Sequence, residues 1–259
     1  MRLAGFFTRN APQDETAQEM ETALAAAKSG DYAAALSIWE PLARGGNARA
    51  QNNIGACFAG GLGVERDMDL ARRWLALSAQ AGDAAGQRNL ASLLFKGDGI
   101  DADHAEAARL YRLAAKQGDA QAQDMLSWML LEGEAVAFDP AEARLWATRA
   151  AENGIASSMT RLGMIHHNAL GVPRDAAQAV HWWRKGAEAG DADGQAMLGA
   201  ALHLGMGAER DPIAALAWLT RAQRAGSGLA APFIEPARAA LDPEQLQAAE
   251  AQAGKVLAP

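Results

Sequence analysis

Apolar residues recur along most of this chain at the spacing of one face of a helix, as at Leu90, Leu93 and Leu94. The same pattern of apolar and polar positions returns every 36 residues without a gap. It defines five blocks, which are residues 48–83, 84–119, 120–155, 156–191 and 192–227. A period of this length, repeated at least three times, indicates that neighbouring blocks stack and cover each other's apolar faces.

Each block predicts two helices joined by a glycine-rich turn, whose glycines are expected to supply positive φ where the first helix ends. A residue able to cap the first helix precedes four of the blocks, whereas Ile155 precedes the fourth block. These four residues are Asn47, Asp83, Asp119 and Asp191.

The second helix of every block follows an aspartate that never varies, and we interpret these aspartates as helix caps rather than catalytic residues. They are Asp67, Asp103, Asp139, Asp175 and Asp211. Pro140 and Pro212 then take the first helical position, where a missing N–H costs nothing. Glu106, Glu142 and Gln178 stand three residues after the aspartate, the spacing of a capping box.

One column of the second helix is rich in tryptophan, and we interpret it as core. It holds Trp74, Leu110, Trp146, Trp182 and Trp218. Trp39 and Trp183 lie next to this column and are placed to face outward, which leaves self-association open as an alternative mode of assembly. Cys57 falls at a core position and is interpreted as a small buried apolar residue.

The segments on either side of the blocks complete the predicted stack. Residues 1–13 are expected to be flexible, and residues 14–47 to form a pair of helices. Residues 228–259 are expected to form a helical cap, because a terminal repeat has no neighbour to cover its apolar face. Pro232 and Pro236 limit any helix near the start of this cap, and Asp242 opens its last helix.

The motif of the blocks resembles the Sel1-like repeats, which are relatives of the tetratricopeptide repeats. Its elements in the last block are Ala192, Leu198, Gly199, Gly205, Gly207, Asp211, Ala215, Trp218, Ala222 and Gly226. The chain departs from the motif at His166, where the family has Tyr, and at Ala135 and Ala169, which replace turn glycines. The resemblance implies an all-α fold, a right-handed α-solenoid of helix-turn-helix repeats with helical caps. It also implies a non-enzymatic scaffold or adaptor that assembles protein complexes.

Composition narrows the range of partners. The net charge of −7 and the absence of a run of Lys or Arg argue against nucleic acid. A single cysteine excludes an internal disulfide. The apolar stretch from Leu3 to Phe7 is too short for a signal sequence, and no segment is long enough for a membrane-spanning helix, so we expect a cytoplasmic protein without membrane insertion.

Variable positions of the first helices predict the binding surface. Numbering each block from zero, positions 1, 4, 8, 11 and 12 cluster opposite the core side, and the resemblance to tetratricopeptide repeats places them in a concave groove. The candidate residues are Arg49, Asn52, Arg88, Phe95, Lys96, Asp124, Trp128, Leu131, Glu132, Met164, His167 and His203. We predict that a peptide or helix of a partner protein places an apolar side chain against Trp128, beside Phe95, Leu131 and Met164. Its acidic groups would lie toward Arg49, Arg88 and Lys96.

Other interpretations of these residues remain at this stage. Trp128 is equally consistent with a locally buried helix residue, and Arg88 and Lys96 with solvated surface charges. The histidines at 166, 167, 181 and 203 do not present a closed set of metal ligands, and His166 is expected to be a hydrogen-bonded interior residue. No catalytic or phosphate-binding motif is present, so we expect no metal and no cofactor. The alternative function is a small-molecule or cell-wall binding protein, as in secreted, disulfide-rich relatives that bind penicillin-type ligands and hydrolyse them weakly.

Overall fold

A computed structural model describes residues 11–134 and 136–254, and its helices confirm the predicted all-α class. Within these residues there are fourteen α-helices and one 3-10 turn, with no strand. The helices are α1 (Ala11–Lys28), α2 (Tyr32–Arg44), α3 (Ala48–Gly60), α4 (Met68–Gln80), α5 (Ala84–Lys96), α6 (His104–Lys116), α7 (Ala120–Glu132), α8 (Pro140–Glu152), α9 (Ala156–His167), α10 (Ala176–Glu188), α11 (Ala192–Leu204), α12 (Pro212–Arg224), α13 (Ala231–Ala239) and α14 (Pro243–Ala253). The 3-10 turn, Gly228–Ala230, precedes α13.

The helices pack as hairpins in two compact units, one ending at Asp119 and the other beginning at Ala120. In the first unit α1 packs on α2, α3 on α4 and α5 on α6, and each hairpin packs on the next through α2–α3 and α4–α5. In the second unit the hairpins are α7–α8, α9–α10 and α11–α12, joined through α8–α9 and α10–α11. Each unit is therefore a short stack of helical hairpins.

Aspartate caps start the second helices as predicted. The side chains of Asp67, Asp103, Asp139, Asp175 and Asp211 each accept a hydrogen bond from a backbone N–H in the first turn. The prediction that the residue three positions after the aspartate completes a capping box was wrong at Glu106, Glu142 and Gln178. The Glu106 carboxylate binds Arg109 instead, which holds the pKa of Glu106 below its usual range, and Glu142 accepts from the Trp146 indole. A complete capping box joins Asp242 to Gln245 at α14.

The turn glycines have two distinct tasks. The first glycine of the turn ends the first helix in the left-handed conformation, as at Gly61, Gly97 and Gly205. The second glycine also has positive φ and lies against the start of the preceding hairpin's second helix. A Cβ at Gly99 would lie 2.9 Å from Met68, and one at Gly207 would lie 2.0 Å from the Ala176 carbonyl oxygen. The turns therefore join one hairpin to the previous one.

Ala169 adopts a left-handed backbone with φ of 56°, at the position where other blocks have the first turn glycine. A residue with a side chain pays roughly 1–2 kcal/mol of strain in this conformation. Glycine removes that strain, but its greater freedom in the unfolded chain cancels roughly half of the stability gained. Ala169→Gly is expected to raise the free energy of unfolding by about 0.5–1 kcal/mol. Guanidinium denaturation followed by circular dichroism would measure it. An unchanged or lower midpoint would contradict the assignment of strain to this residue.

A second buried column of the second helices is position 27 of the blocks, one residue beyond the tryptophan column. It holds Leu75, Tyr111, Ala147, Trp183 and Leu219, all nearly inaccessible to solvent. The expectation that Trp183 and Trp39 face outward was wrong: Trp183 is 2% exposed and Trp39 is 3% exposed. Trp39 occupies the equivalent place in α2, so both indoles belong to this column.

The tryptophan column lies nearer the surface than predicted. Trp146 is buried, but Trp74, Trp182 and Trp218 are only partly buried. In the second unit a cation lies over each ring of the column, with Arg149 4.9 Å from the Trp146 centroid and Lys185 4.8 Å from that of Trp182. Arg221 covers Trp218 in the same way. Such contacts let a large aromatic ring pack on the core while its outer edge meets charge.

The flanking segments are more helical than expected. Helix α1 begins at Ala11, and thus includes three of the residues predicted to be flexible, while residues 1–10 lie outside the described part of the chain. Helix α13 includes both Pro232 and Pro236. Pro232 stands in its first turn, where an N–H is not needed, whereas Pro236 lies inside the helix. Helix α14 packs on α12 and buries Ala249, so it covers the apolar side of the last hairpin.

The sequence predicts that Cys57 and His166 are buried, and the structure confirms this fully only for Cys57. Cys57 is buried in the core of the first unit, as predicted, and burial raises the pKa of its thiol. The expectation that His166 is interior holds only in part, because this residue is half-buried.

Candidate functional site

Variable positions of the first helices also join repeats within the first unit. Asn52, predicted to face a partner, is buried, and its Oδ1 accepts from Asn89 Nδ2 of the next block at 2.7 Å. Arg88 is half-buried and donates to the cap residue Asp119, with 2.8 Å between Nη1 and Oδ2. Asn52 and Arg88 therefore form hydrogen bonds within the protein instead of facing a partner.

The same arrangement recurs in the second unit. Asp124 accepts hydrogen bonds from Arg161 and Ser158 of the next block, and Arg161 also forms an ion pair with it. Thr160 donates to the cap residue Asp191 at 2.7 Å. In four of the five blocks position 4 is polar. Asn52 and Asp124 bond to the following block, and Arg88 and Thr160 to the aspartate that ends their own block, while the fifth block has the buried Ala196 there.

Three of the other candidates in the first unit lie on its surface. Arg49 and Lys96 are exposed, and Lys96 lines a shallow groove with Arg66 and Asp98, which pair with each other. The Phe95 ring is half-buried and lies 5.0 Å from the ring of His104. Phe95 therefore belongs to the first unit and is not a member of the cluster described next.

An apolar pocket of about 350 Å³ opens on the second unit, where three consecutive first helices lie side by side. We call it the Trp128 pocket. Its apolar lining is Trp128 and Leu131 from α7, Met164 from α9, Leu170 from the following turn, Met197 from α11 and Leu229 from the 3-10 turn. Its polar lining is Glu132, Ser157, Thr160, Arg161, Asn168, Asp191 and Asp193. The structure thus brings together four predicted residues, Trp128, Leu131, Glu132 and Met164.

Repeat geometry explains why these side chains meet. Trp128 and Met164 hold position 8 of adjacent blocks, so stacking of α7 and α9 brings the same face of each helix to the pocket. Leu131 lies three residues after Trp128, on the same side of α7. All three side chains are half-buried, which leaves part of their apolar surface open to solvent.

Acidic groups dominate the rim of the Trp128 pocket. Glu132 is exposed at the end of α7, and Asp193 lies in the first turn of α11, where its carboxylate accepts from Ser227 Oγ at 2.6 Å. Asp191 caps α11. The lining cation, Arg161, is neutralised by Asp124. The pocket therefore combines an apolar floor with a negatively charged edge.

A family model for the Sel1 repeat matches residues 48–83, 84–119, 120–155, 156–191 and 192–227, which is more than half of the chain. The chain belongs to the Sel1 repeat family. Sel1 repeat proteins generally mediate protein–protein interactions, and their solenoids are typically non-enzymatic scaffolds. The matched segments begin and end at the same residues as the five blocks counted in the sequence.

Solved Sel1 structures share this fold. A Sel1 repeat protein from Oxalobacter formigenes is 28% identical, with a TM-score of 0.81 over 93% of this chain and 98% of that chain. A protective antigen of uropathogenic Escherichia coli strains, which displays an SLR fold, is 24% identical with a TM-score of 0.61. That match covers 94% of this chain and 61% of the antigen. A comparison with curated proteins gives no match.

The two candidate histidines of this Sel1 protein lie apart from the pocket lining. His167 packs its ring 5.3 Å from that of Trp183, and His203 has a buried Nδ1 that finds no hydrogen-bond partner among the described residues. In residues 11–134 and 136–254, no three His, Cys, Asp or Glu side chains come together as metal ligands would. None of the described helices has the length and apolar character needed to cross a membrane.

Sequence reasoning missed half of the apolar lining, namely Leu170, Met197 and Leu229, and all of the polar lining except Glu132. Arg161 and Met197 hold position 5 of their blocks, which lies 140° around the helix when position 0 is at 0° and each residue adds 100°, next to the predicted face. Including position 5 in that face would have found both. Leu229 could not be found in this way, because it follows the last block and the repeat pattern does not extend to it.

Proposed function

We propose that this Sel1 repeat protein is a scaffold or adaptor without enzymatic activity that binds a peptide or helix of a partner protein in the Trp128 pocket. The observation that supports it is the open apolar pocket formed by three consecutive repeats around Trp128, Leu131 and Met164. A cytoplasmic location is part of this proposal.

The size and composition of the Trp128 pocket fit an anchoring side chain better than a flat contact. Its volume lies near the lower end of the range of ligand pockets, roughly 300–1,000 Å³. Burying an aliphatic or aromatic side chain there would contribute about 1.5–3 kcal/mol. Interfaces concentrate binding energy in a few such anchors, and tryptophan is enriched among them. A partner segment is therefore expected to place one large apolar residue between Trp128 and Met164.

The test is selection of peptides followed by a matched pair of substitutions. The full chain would be used to select from a displayed library of random peptides, and the affinity of the most enriched peptide would be measured by fluorescence anisotropy. Trp128→Ala is expected to weaken that affinity by at least about tenfold, because truncating a central interface anchor costs about 2 kcal/mol or more and about 1.4 kcal/mol corresponds to tenfold.

The control is Phe138→Ala, which removes another aromatic side chain of the second unit, one that is 55% exposed and outside the pocket lining. It is expected to leave the affinity unchanged. Circular dichroism would verify that both variants remain folded. A folded Trp128→Ala protein that binds the peptide as the wild type does would refute the proposal.

A further inference from the structure

We infer that the Trp128 pocket selects partner segments in which a basic residue lies close to the apolar anchor. This inference rests on the proposed function, since it names the chemistry of the segment that the pocket would bind. It follows from the charges around the pocket and from what those charges already contact.

The carboxylates at the rim keep their charge available. Asp193 accepts a hydrogen bond from the neutral Ser227 hydroxyl, which positions the carboxylate without cancelling its charge. Glu132 is exposed, and within the described residues neither it nor Asp193 forms an ion pair. A ligand that reaches the apolar side chains of the pocket therefore passes two negative charges, those of Asp193 and Glu132.

Arg161, the cation in the pocket lining, does not neutralise the charges of Glu132 and Asp193. Arg161 binds Asp124 through the same guanidinium nitrogen that approaches Ser158, and both members of the ion pair are largely shielded from solvent. Its charge is thus matched by Asp124, a carboxylate that is not part of the pocket lining. Asp191 adds a further negative group, with one oxygen held by Thr160 and by the backbone N–H of Gly194.

Electrostatic complementarity then decides between classes of segment. An acidic segment would bring like charges together near Glu132 and Asp193, at a cost that grows as its anchor buries and water leaves. A basic segment would gain attraction and approach faster. The cations that the sequence offered to acidic partners, Arg49, Arg88 and Lys96, belong to the first unit and line no part of this pocket.

The experiment compares the sequences recovered by the wild-type chain with those recovered by Glu132→Gln/Asp193→Asn. These substitutions remove charge while keeping groups that can accept hydrogen bonds, including the one from Ser227. The wild type is expected to enrich peptides with Lys or Arg within about one helical turn of Leu, Met or an aromatic residue. The double variant should lose the preference for Lys or Arg and keep the preference for the apolar residue.

Affinities supply the quantitative part of the test. For the most enriched peptide we expect a two- to fivefold loss of affinity per substitution, roughly the effect of an exposed ion pair, and a similar loss when its basic residue becomes Gln. The losses should not add when the peptide and protein changes are combined, because they remove the same interaction. Glu152→Gln is the matched control, since Glu152 ends α8 as Glu132 ends α7 but lies outside the pocket lining.

Failure of the inference can be distinguished from failure of the proposed function. Peptides whose binding depends on Trp128 but which are uncharged or acidic would overturn the inference and leave the proposed function standing. Recovery of no peptide, or of peptides indifferent to Trp128→Ala, would overturn both. An affinity that Glu152→Gln lowers as much as Glu132→Gln would show a general charge effect and would also overturn the inference.

Discussion

Gly207→Ala is expected to lower the free energy of unfolding of the second unit by about 3 kcal/mol, from a strained backbone and an overpacked contact. Gly207 has φ of 74°, and an added Cβ would lie 2.0 Å from the carbonyl oxygen of Ala176 and 2.4 Å from its carbonyl carbon. Backbone atoms at the start of α10 cannot rotate away as a flexible side chain could. The turn would therefore have to separate from α10, loosening the contact between successive hairpins.

Gly226→Ala is the control that isolates this contact. Gly226 also has positive φ, 89°, but nothing lies within 4 Å of an added Cβ. Its substitution should cost only the backbone strain, roughly 1–2 kcal/mol. Denaturation of both variants by guanidinium, followed by circular dichroism, gives the difference. Equal destabilisation would show that the approach of the turn to α10 contributes nothing.

The caps and turns could be predicted because each depends on a few neighbouring residues. An aspartate before a helix satisfies a backbone N–H three residues later, whatever surrounds it, so Asp67 or Asp211 identifies a helix start from the sequence alone. The side chain of Glu106 could not be placed in this way, since the capping box competes with Arg109, one turn further along α6. Local rules fix the start of a helix but not the choice between two nearby partners.

The buried column at position 27 was missed because its residues do not repeat in size. The tryptophan column repeats one residue type and is therefore recognisable in the sequence, whereas position 27 ranges from Ala147 to Trp183. The facing position 7 of the first helix is small in every block, and three of its residues, Gly55, Gly163 and Gly199, lie directly against the position-27 side chain. A small residue at position 7 leaves room for side chains of different size at position 27, so burial there does not require one recurring residue type.

The face of the helices that forms the candidate site could be predicted from the helical period, but the contacts of each side chain on that face could not. The helical period placed Trp128, Leu131 and Met164 on one face of their helices, and the structure brings them into one pocket. Asn52, Arg88 and Asp124 share that face but bond to other side chains of the protein, Asn52 and Asp124 to the next repeat and Arg88 to Asp119. A single-helix projection shows which side a residue occupies, and the distance to the next helix decides whether it meets that helix or solvent.

Gly163→Ala is expected to lower the free energy of unfolding by about 2–3 kcal/mol, the cost of overpacking a rigid core contact. A Cβ at Gly163 would lie 2.3 Å from Cδ1 and 2.4 Å from Nε1 of Trp183. Trp183 is 2% exposed and its ring also contacts His167, so the indole has little space into which it can move. The better helix propensity of alanine, worth roughly 0.5–1 kcal/mol, offsets only part of this cost.

A second substitution on the facing helix tests the mechanism. The second block holds Ala91 and Tyr111 at these two positions, so the fold accommodates an alanine when the facing ring is smaller. Phe is the appropriate replacement for Trp183, because the Tyr111 hydroxyl bonds to Ser92, whereas Met164 holds that position in the fourth block. Gly163→Ala/Trp183→Phe should be more stable than Gly163→Ala alone, with a coupling of about 1–2 kcal/mol in a double-mutant cycle. Additive losses in guanidinium denaturation would mean that the two side chains do not compete for the same volume.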